Sequence, residues 1–496
     1  MMKLPLLDLI VFFAYLVGMM LFGCSFLLKK EFRSPASFTS GTGRLPAWAI
    51  GMSIFATFVS SISFLGLPAK AYTGNWNAFA FSLSIPVASF IAVRFFVPLY
   101  RSLNSISAYH YLGMRFGSWA AVYASTCYVL TQIARMGTIL YLLALPMHAL
   151  LGWSVPMIIT LTAASVLVYS VAGGIQAVIW TDAVQGILLI AGTLLCLLML
   201  MIGNPPDALT TAWQAHKFSL GSFDGLDWGT ETFWVCLLYG IFINLQNYGI
   251  DQNYVQRYLT AKNTREAVQS TLFGSLLYIP VSFLFFAMGT ALYGYYRVHP
   301  LPAAVAAKPD QVLPYFIVHG LPQGVKGLLI AAIFAAGMST LSTSINSGAT
   351  VLFADYYKRF WAPSASERDQ LWFLRCATVV MTFFGWGCAL VVMRVQSALD
   401  AWWMLASVFS GGMLGLFLLG YCSQQATRRT AQVATMIGVA VIAWIACGQP
   451  KTPFSVRLHP NLAIVVGTLV IFFIGFAFAM LAQRTVGTSQ RGESKK

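Results

Sequence analysis

The chain contains few charged residues. Asp, Glu, Lys and Arg make up 9% of its 496 residues, whereas a soluble chain is about 25% charged. Acidic residues are the scarcest, at 15 against 30 basic ones, and 58% of the residues are hydrophobic. A water-facing surface cannot be covered with so few charges. This composition therefore excludes a soluble enzyme or a soluble nucleic-acid-binding protein.

Motifs for metal, disulfide or catalytic chemistry are also missing. The eight cysteines include no CxxC pair, and this favours small core residues over a disulfide framework or a zinc site. Four of the six histidines fall in predicted loops, while His148 and His319 stand in no paired motif. A membrane-embedded enzyme would need a deep cluster of catalytic residues, and a transporter-like sensor would add a soluble signalling domain. The sequence favours neither, and we expect a protein that is not an enzyme.

Long apolar runs, in contrast, fill most of the chain. About 20 apolar residues cross roughly 30 Å of hydrocarbon, and on that rule the sequence predicts an all-α integral membrane protein with about thirteen transmembrane helices. The approximate spans are 5–28, 47–67, 77–99, 120–144, 155–171, 175–202, 232–249, 268–295, 327–355, 371–395, 401–421, 430–447 and 462–482. We expect one transmembrane domain over 1–483 and a polar, loosely held cytoplasmic tail over 484–496.

The first span resembles a lipoprotein signal peptide, because Lys3 precedes a long apolar run that reaches Cys24. Three features favour a retained helix instead: Asp8 near its start, a run longer than a signal requires, and the flanking Lys29 and Lys30.

The distribution of the basic residues indicates the orientation of the chain in the membrane. With the N-terminus outside, 18 of the 30 Lys and Arg residues, Arg257 among them, fall in inner loops or the tail, and nine fall on the outer face. Cytoplasmic loops are enriched in basic residues, so we predict an N-out, C-in topology. The excess of +15 then requires no nucleic-acid partner.

A few charged residues fall inside the predicted spans. Insertion of a charged side chain into the hydrocarbon costs about 2.5 to 3.5 kcal/mol of free energy, so we first interpret such a residue as functional. Asp8, Arg94 and Arg375 lie near span ends, and we expect them to reach the interface. Arg135 lies near the middle of its span. Its guanidinium needs a permanent counter-charge such as a protein carboxylate, a set of carbonyls, or an anionic ligand that comes and goes. Its planar fork suits a carboxylate, and we favour the ligand.

Asp182 is the second deep charge, about eight residues into the span at 175–202. A proton relay, cation ligation and a salt bridge to Arg135 are all open to it. The ninth span carries hydroxyls at 339, 340, 342, 343, 344 and 347, several of them on one helical face. Small residues also permit close helix packing, but a dense hydroxyl face favours ion ligation.

Two further polar clusters interrupt the second and seventh spans. The second span carries Thr57, Ser60, Ser61 and Ser63, and the seventh carries polar residues at 244, 246 and 247. Interrupted helices expose carbonyls and helix N-termini, which build ion and solute sites near the midplane. The two spans are five apart, as expected if spans 2–6 (47–202) and 7–11 (232–421) are inverted repeats.

These strings together resemble the sodium:solute symporter family, with the closest likeness to its bacterial sodium/sialic acid symporter branch. They are RLPAW (44–48), FAT (55–57), PAKAYT (68–73), GGIQAVIWTD (173–182), DQ (251–252), VQRY (255–258) and the hydroxyl run at 336–347. The resemblance implies a five-helix inverted-repeat, LeuT-like fold that works by alternating access. It also implies a sodium ion as the coupling ion.

The resemblance implies two sodium sites and a solute site. The first sodium would bind to Ala56, Val59, Ala336, Ser339 and Thr340, and the second to Asp182, Ser339, Ser342 and Thr343. Arg135 would bind the solute carboxylate, with Ser60, Ser63, Phe58, Ser82, Asn244 and Gln246 also at the solute site. Phe58 and Ser82 depart from the branch pattern, since the first replaces a hydroxyl with bulk and the second shortens an amide.

The expected function is therefore sodium-coupled uptake of a sialic acid, an N-acetylneuraminate-type acidic sugar, with two sodium ions per solute. The alternative is a sodium symporter for another sugar acid, a neutral sugar or an amino acid. The expected partners are the solute, sodium and the lipid bilayer, without nucleic acid, and we expect a monomer. Location in a bacterial inner membrane, as a multi-pass protein, is implied by the resemblance alone.

Overall fold

A computed structural model describes residues 5–28, 34–41, 43, 45–103, 105–394, 398–446 and 458–493. Lys3, Lys29, Lys30, Arg44 and the last three residues of the predicted tail lie outside this set. The described residues form helices and connecting turns without a β-strand.

The helices are, in chain order, α1 (Leu6–Ser25), α2 (Pro35–Thr39), α3 (Ala47–Phe58), α4 (Ser61–Thr73), α5 (Phe79–Leu83), α6 (Ile85–Ile91), α7 (Val97–Leu103), α8 (His110–Phe116), α9 (Ser118–Leu151), α10 (Val155–Gly203), α11 (Ala208–Gln214), α12 (Phe233–Ile250), α13 (Gln252–Thr260), α14 (Thr264–Val298), α15 (Ala303–Ala306), α16 (Val312–His319), α17 (Val325–Val351), α18 (Glu367–Val392), α19 (Ala398–Cys422), α20 (Arg428–Ala446) and α21 (Leu462–Glu493). A π-helical segment joins α6 to α7, and another extends α17 to Trp361. Helix α21 includes most of the predicted polar tail.

Within the described residues, ten helices are long and apolar enough to cross a membrane, or eleven if the bent pair α3 and α4 forms one span. This confirms the predicted all-α membrane class. Helix α10, at 49 residues, covers two of the predicted spans. The count of thirteen spans and the orientation stay predictions.

Gly174 divides α10 at the boundary predicted between the fifth and sixth spans. Its φ of 55° and ψ of −154° are not helical, and only glycine adopts such angles without strain. A Cβ added there would lie 2.6 Å from the Cα of Phe38 in α2. The glycine therefore bends the helix and admits the backbone of α2.

The second predicted span is broken as expected. Helix α3 ends at Phe58, and α4 begins at Ser61, inclined to α3 by 57°. Val59 and Ser60 between them have extended backbone angles. The seventh span is also broken, because Asp251 is extended between α12 and α13.

Helix α17 lies at the centre of the protein, packed against α1, α3, α9 and α10. Nearly all of its residues are buried, including the complete hydroxyl run. One buried helix therefore carries both features that we considered. Its small side chains allow close packing, and its hydroxyls are those predicted to bind ions.

Asp8 joins α1 to the start of α17. Its side chain is fully buried, and its Oδ1 accepts the backbone N–H groups of Gly324 at 2.7 Å and Gly327 at 2.8 Å. The prediction that Asp8 reaches the interface is therefore wrong, because the carboxylate caps the otherwise unpaired amides of a neighbouring helix N-terminus. Arg94, in contrast, is exposed on the surface of the protein, and its reach to the interface stays a prediction.

We expect Asp8→Ala to destabilise the protein by about 1 to 3 kcal/mol, because the buried N–H of Gly327 and the partly buried N–H of Gly324 lose their acceptor. Asp8→Asn keeps an acceptor oxygen and should lose less. Thermal unfolding in detergent measures both, with Ile10→Ala as a matched control, since Ile10 lies on the exposed side of the same helix. Equal losses for Asp8→Ala and Ile10→Ala would show that the cap contributes nothing.

Candidate functional site

A cavity lies beside the break between α3 and α4 and is lined by residues of these helices and of α5, α9, α12, α14 and α19. The cavity volume is about 170 Å³. Five of the seven residues predicted for the solute line it, namely Phe58, Ser60, Ser63, Arg135 and Gln246.

Ser82 and Asn244, the other two predicted solute residues, are buried and do not line the cavity. The Oγ of Ser82 lies 2.7 Å from the Oγ of Ser282, and the Nδ2 of Asn244 donates to the Oγ of Ser84 at 2.9 Å. Both side chains join helices to one another behind the cavity wall. Their role as solute ligands stays a prediction.

Phe58 belongs to an aromatic wall of the cavity. Its ring stacks on Tyr248 with centroids 5.5 Å apart, and it meets the edge of Tyr278 at 4.5 Å. Such pairs are more stable than their buried area alone implies. This side of the cavity is therefore apolar and firmly packed.

Arg135 projects from α9 toward the broken helix. Its Nη2 donates to the carbonyl oxygen of Thr57 at 3.0 Å, a carbonyl near the end of α3. Arg135 takes part in neither of the ion pairs found among the described residues, so the internal pair with a carboxylate that we considered is not formed. The guanidinium faces the cavity, where it can bind an anion.

Lys70 and Glu231 form an ion pair of 2.8 Å at the other end of the cavity, and both are partly exposed. Ser63, Leu67 and Lys70 line the cavity along one face of α4, which places Lys70 about 10 Å along the helix from Ser63. The sequence did not indicate Glu231, and it assigned Lys70 only to the outer face.

Lys217 secures this end of α4. Its Nζ donates to the carbonyl oxygens of Tyr72 at 2.7 Å and Gly74 at 2.9 Å, where the helix ends. A cation stabilises a helix C-terminus. Burial lowers the pKa of Lys217, since the charged form loses water.

The residues predicted for the first sodium meet between the end of α3 and the middle of α17. The Oγ of Ser339 donates to the carbonyl oxygens of Ala56 at 2.9 Å and Ala336 at 3.1 Å. The Oγ1 of Thr340 donates to the oxygens of Ala336 at 3.2 Å and Val59 at 3.4 Å. Hydrogen bonds therefore link the oxygens of all five predicted residues in one buried region, and oxygens are the ligands that a hard cation prefers. That these residues bind sodium stays a prediction.

The residues predicted for the second sodium are also neighbours. The Oγ1 of Thr343 donates to Oδ2 of Asp182 at 3.3 Å, and the Oγ of Ser342 donates to the carbonyl oxygen of Ser339 at 3.1 Å. The Oδ1 of Asp182 is buried without a hydrogen-bond partner in the described residues.

Arg257 pairs with Asp182 at 2.7 Å, and both side chains are fully buried. We had placed Arg257 in an inner loop, and this is wrong. Helix α13 turns into the protein directly after the break at Asp251, so its polar side chains are buried among other helices. We had considered a salt bridge from Asp182 to Arg135, and this is not formed. Asp182 forms a salt bridge to Arg257 instead.

Asp251 is a further functional candidate that the charge count overlooked. It is 8% exposed, caps α13 by accepting the N–H of Asn253 at 2.7 Å, and lines the same cavity as Arg135. Its position directly after the interrupted seventh span was the signal that could have identified it.

Comparison with known proteins gives a family and several relatives. A sequence profile of the Sodium:solute symporter family matches residues 38–438. The sodium/sialic acid symporter SiaT of Proteus mirabilis is 32% identical over 466 residues, 92% of this chain and 93% of the relative. The sodium/sialic acid symporter NanT of Aliivibrio fischeri is 31% identical over 98% of this chain and 95% of its own. The mouse sodium-coupled monocarboxylate transporter 2 is 28% identical over 89% of this chain and 72% of its own.

Two solved structures share the fold. The substrate-bound, outward-open state of a Na⁺-coupled sialic acid symporter, which reveals a novel Na⁺ site, has a TM-score of 0.88 and 30% identity and covers 96% of this chain and 98% of that chain. The nucleobase-cation-symport-1 family transporter MHP1, in a closed conformation, has a TM-score of 0.60 and 16% identity and covers 93% of this chain and 96% of that chain. The second similarity concerns the fold alone. Both are transporters of the LeuT-like type, as the sequence predicted.

The family and these relatives confirm that the protein is a transporter rather than an enzyme, and that sodium is its coupling ion. The profile spans most of the chain, and the bacterial relatives match it nearly end to end. The chain belongs to the sodium:solute symporter family.

Proposed function

We propose that the protein is a secondary active transporter that couples inward sodium flux to the uptake of a sialic acid by alternating access. The observation that carries this proposal is Arg135, whose guanidinium faces the cavity and has no ion-pair partner among the residues that the structure describes. An N-acetylneuraminate-type sugar brings a carboxylate that a guanidinium binds in a bidentate pair. The two bacterial relatives named as sodium/sialic acid symporters support this substrate class.

Thr57 links the solute arginine to the ion sites. Its carbonyl oxygen accepts from Arg135 at 3.0 Å and from Thr340 at 3.5 Å, and its Oγ1 lies 3.2 Å from that of Thr343. A sodium ion at Ala56 would fix the end of α3 and with it the carbonyl that positions Arg135. Sodium and solute then favour the same arrangement, as coupling requires.

A second sodium has a physical rationale. One sodium with a monovalent anion carries no net charge, whereas two carry +1 inward. Each 100 mV of inside-negative potential then adds roughly 2.3 kcal/mol of driving force, which is about fortyfold in accumulation. We propose the Asp182 and Thr343 oxygens, with Ser339 and Ser342, for this ion.

The same proposal includes the topology and setting. The division of α10 at Gly174 supports the thirteen spans. The basic-residue count supports the outer N-terminus and the inner C-terminus, with 17 inner residues against nine outer ones once the buried Arg257 is set aside. The breaks in α3–α4 and α12–α13 stand at corresponding places in the proposed repeats, spans 2–6 and 7–11. We propose a bacterial inner membrane as the setting, since both sialic acid symporter relatives are bacterial. We also propose that the protein is a monomer.

A second candidate solute is a smaller carboxylate. Phe58 fills part of the cavity with an aromatic ring, and the mouse relative is named as a monocarboxylate transporter. Arg135 would serve either solute, so the size of the remaining space decides between them.

Uptake of radiolabelled N-acetylneuraminate into proteoliposomes tests the proposed coupling. We expect accumulation with an inward sodium gradient and none when potassium or choline replaces sodium, because the ion sites order the end of α3. Unlabelled lactate, glucose and amino acids serve as competitors in the same assay. Unchanged uptake without sodium would contradict the coupling, and stronger competition by a monocarboxylate would favour the second solute.

Replacing the cavity arginine tests the solute site. Arg135→Ala should weaken N-acetylneuraminate binding about ten- to a hundredfold, since a charged hydrogen bond contributes about 1.5 to 3 kcal/mol. Sodium-dependent thermal stabilisation should remain. Calorimetry with and without sodium measures both effects, and Arg94→Ala is the matched control because Arg94 is exposed outside the cavity. Equal loss of both properties would mean that Arg135 is structural.

The second sodium is tested through its carboxylate. Asp182→Asn should lower the Hill coefficient of sodium-dependent uptake toward one, because the proposed site loses its only charged ligand. Asp355→Asn is the matched control, since Asp355 is a buried carboxylate that instead accepts from Ser107 at 2.6 Å. An unchanged Hill coefficient in Asp182→Asn would argue for a single sodium.

A further inference from the structure

Helix α13 connects the cavity to the proposed second sodium site. Asp251 caps its N-terminus at the cavity, and Arg257 lies six residues further on, about 9 Å along the helix. The mechanism proposed above gives Arg257 no role, although its side chain is fully buried. A buried guanidinium is costly unless its partners are well placed.

The guanidinium occupies oxygens that the proposed sodium would need. Its Nη2 lies 2.7 Å from Oδ2 of Asp182 and 2.7 Å from Oγ1 of Thr343. Its Nε donates to the Oγ of Ser53 at 2.7 Å, and the same hydroxyl donates to Asp182 at 2.7 Å. A protein cation therefore already neutralises the carboxylate at this position.

Sodium and the guanidinium cannot share these oxygens. Two like charges in contact in a buried site repel strongly, and Thr343 and the Oδ2 of Asp182 are already engaged by Nη2. The Oδ1 of Asp182 is buried without a hydrogen-bond partner in the described part of the chain. That oxygen is a free point of attachment from which an arriving ion can begin the exchange.

We propose that Arg257 is a displaceable counter-cation, which holds Asp182 and Thr343 when sodium is absent and withdraws when sodium binds there. This inference rests on the second sodium site of the proposed function. When Arg257 withdraws, α13 shifts. Asp251 lies at the opposite end of α13 and lines the cavity that Arg135 also lines, so the shift reaches that cavity. Arg257 is thus a positioning residue that reports ion binding to the solute site.

Hydrogen exchange of the wild-type protein tests the displacement without a variant. Sodium replaces potassium at constant ionic strength, without solute. We expect the amide exchange rate in peptides covering α13 to rise by about fivefold or more, which is the lower end of the coupling between linked sites. Peptides from α20, which packs mainly against α19 and α21, serve as the internal control. Asp182→Asn should abolish the change. Unchanged exchange in α13 while sodium still stabilises the wild type would overturn the displacement alone.

Sodium affinity gives the second measurement. Removal of the competitor in Arg257→Met should lower the half-saturating sodium concentration for thermal stabilisation by about fivefold or more, and Arg257→Lys should lie between it and the wild type. A raised or unchanged value in both variants would show that Arg257 is only a structural partner. If Arg257→Met does not fold, Arg257→Lys and the wild-type exchange decide. Absence of any sodium effect on the wild type would instead overturn the proposed function, and this inference with it.

Discussion

The interruption of one helix inside the membrane is the constraint on which the rest of the site depends. Backbone carbonyls that are buried between helices have no water to accept from and must be satisfied within the protein. Those of Ala56, Thr57 and Val59 receive hydroxyls from α17, and Thr57 also receives the guanidinium of Arg135. Groups from two other helices therefore stabilise the break. The same groups are those that an ion and an anion would use.

Much of this arrangement was predictable from local sequence signals. Apolar runs located the membrane helices, and polar interruptions located the breaks near Ser60 and Asn247. The hydroxyl run of α17 and the deep Arg135 stood out because polar groups are rare in such spans. Each of these signals lies within one segment of the chain, so no knowledge of packing was needed to recognise it.

The remainder depends on which segments meet. Residues 250–267 are polar and basic, as an inner loop would be, and only the packing of α13 against α3 and α17 shows that Arg257 is buried. Its partner, Asp182, lies 75 residues away in sequence. Ser82 failed as a cavity residue for a similar reason, because the orientation of a short helix such as α5 decides which side chains face the solute. Counting basic residues by loop cannot detect either effect.

The cavity contains two acidic and two basic side chains among its described lining residues, Glu231 and Asp251 against Lys70 and Arg135. Their charges cancel, so the cavity is electrically balanced before anything enters. An anion that arrives alone leaves an uncompensated negative charge beside partly buried groups, and this has a cost in free energy. One bound sodium ion offsets that charge, and the second ion of the proposed pair gives the loaded carrier a net charge of +1. The empty carrier is then the electrically neutral form, so an inside-negative membrane potential acts on the loaded carrier and not on the return of the empty one.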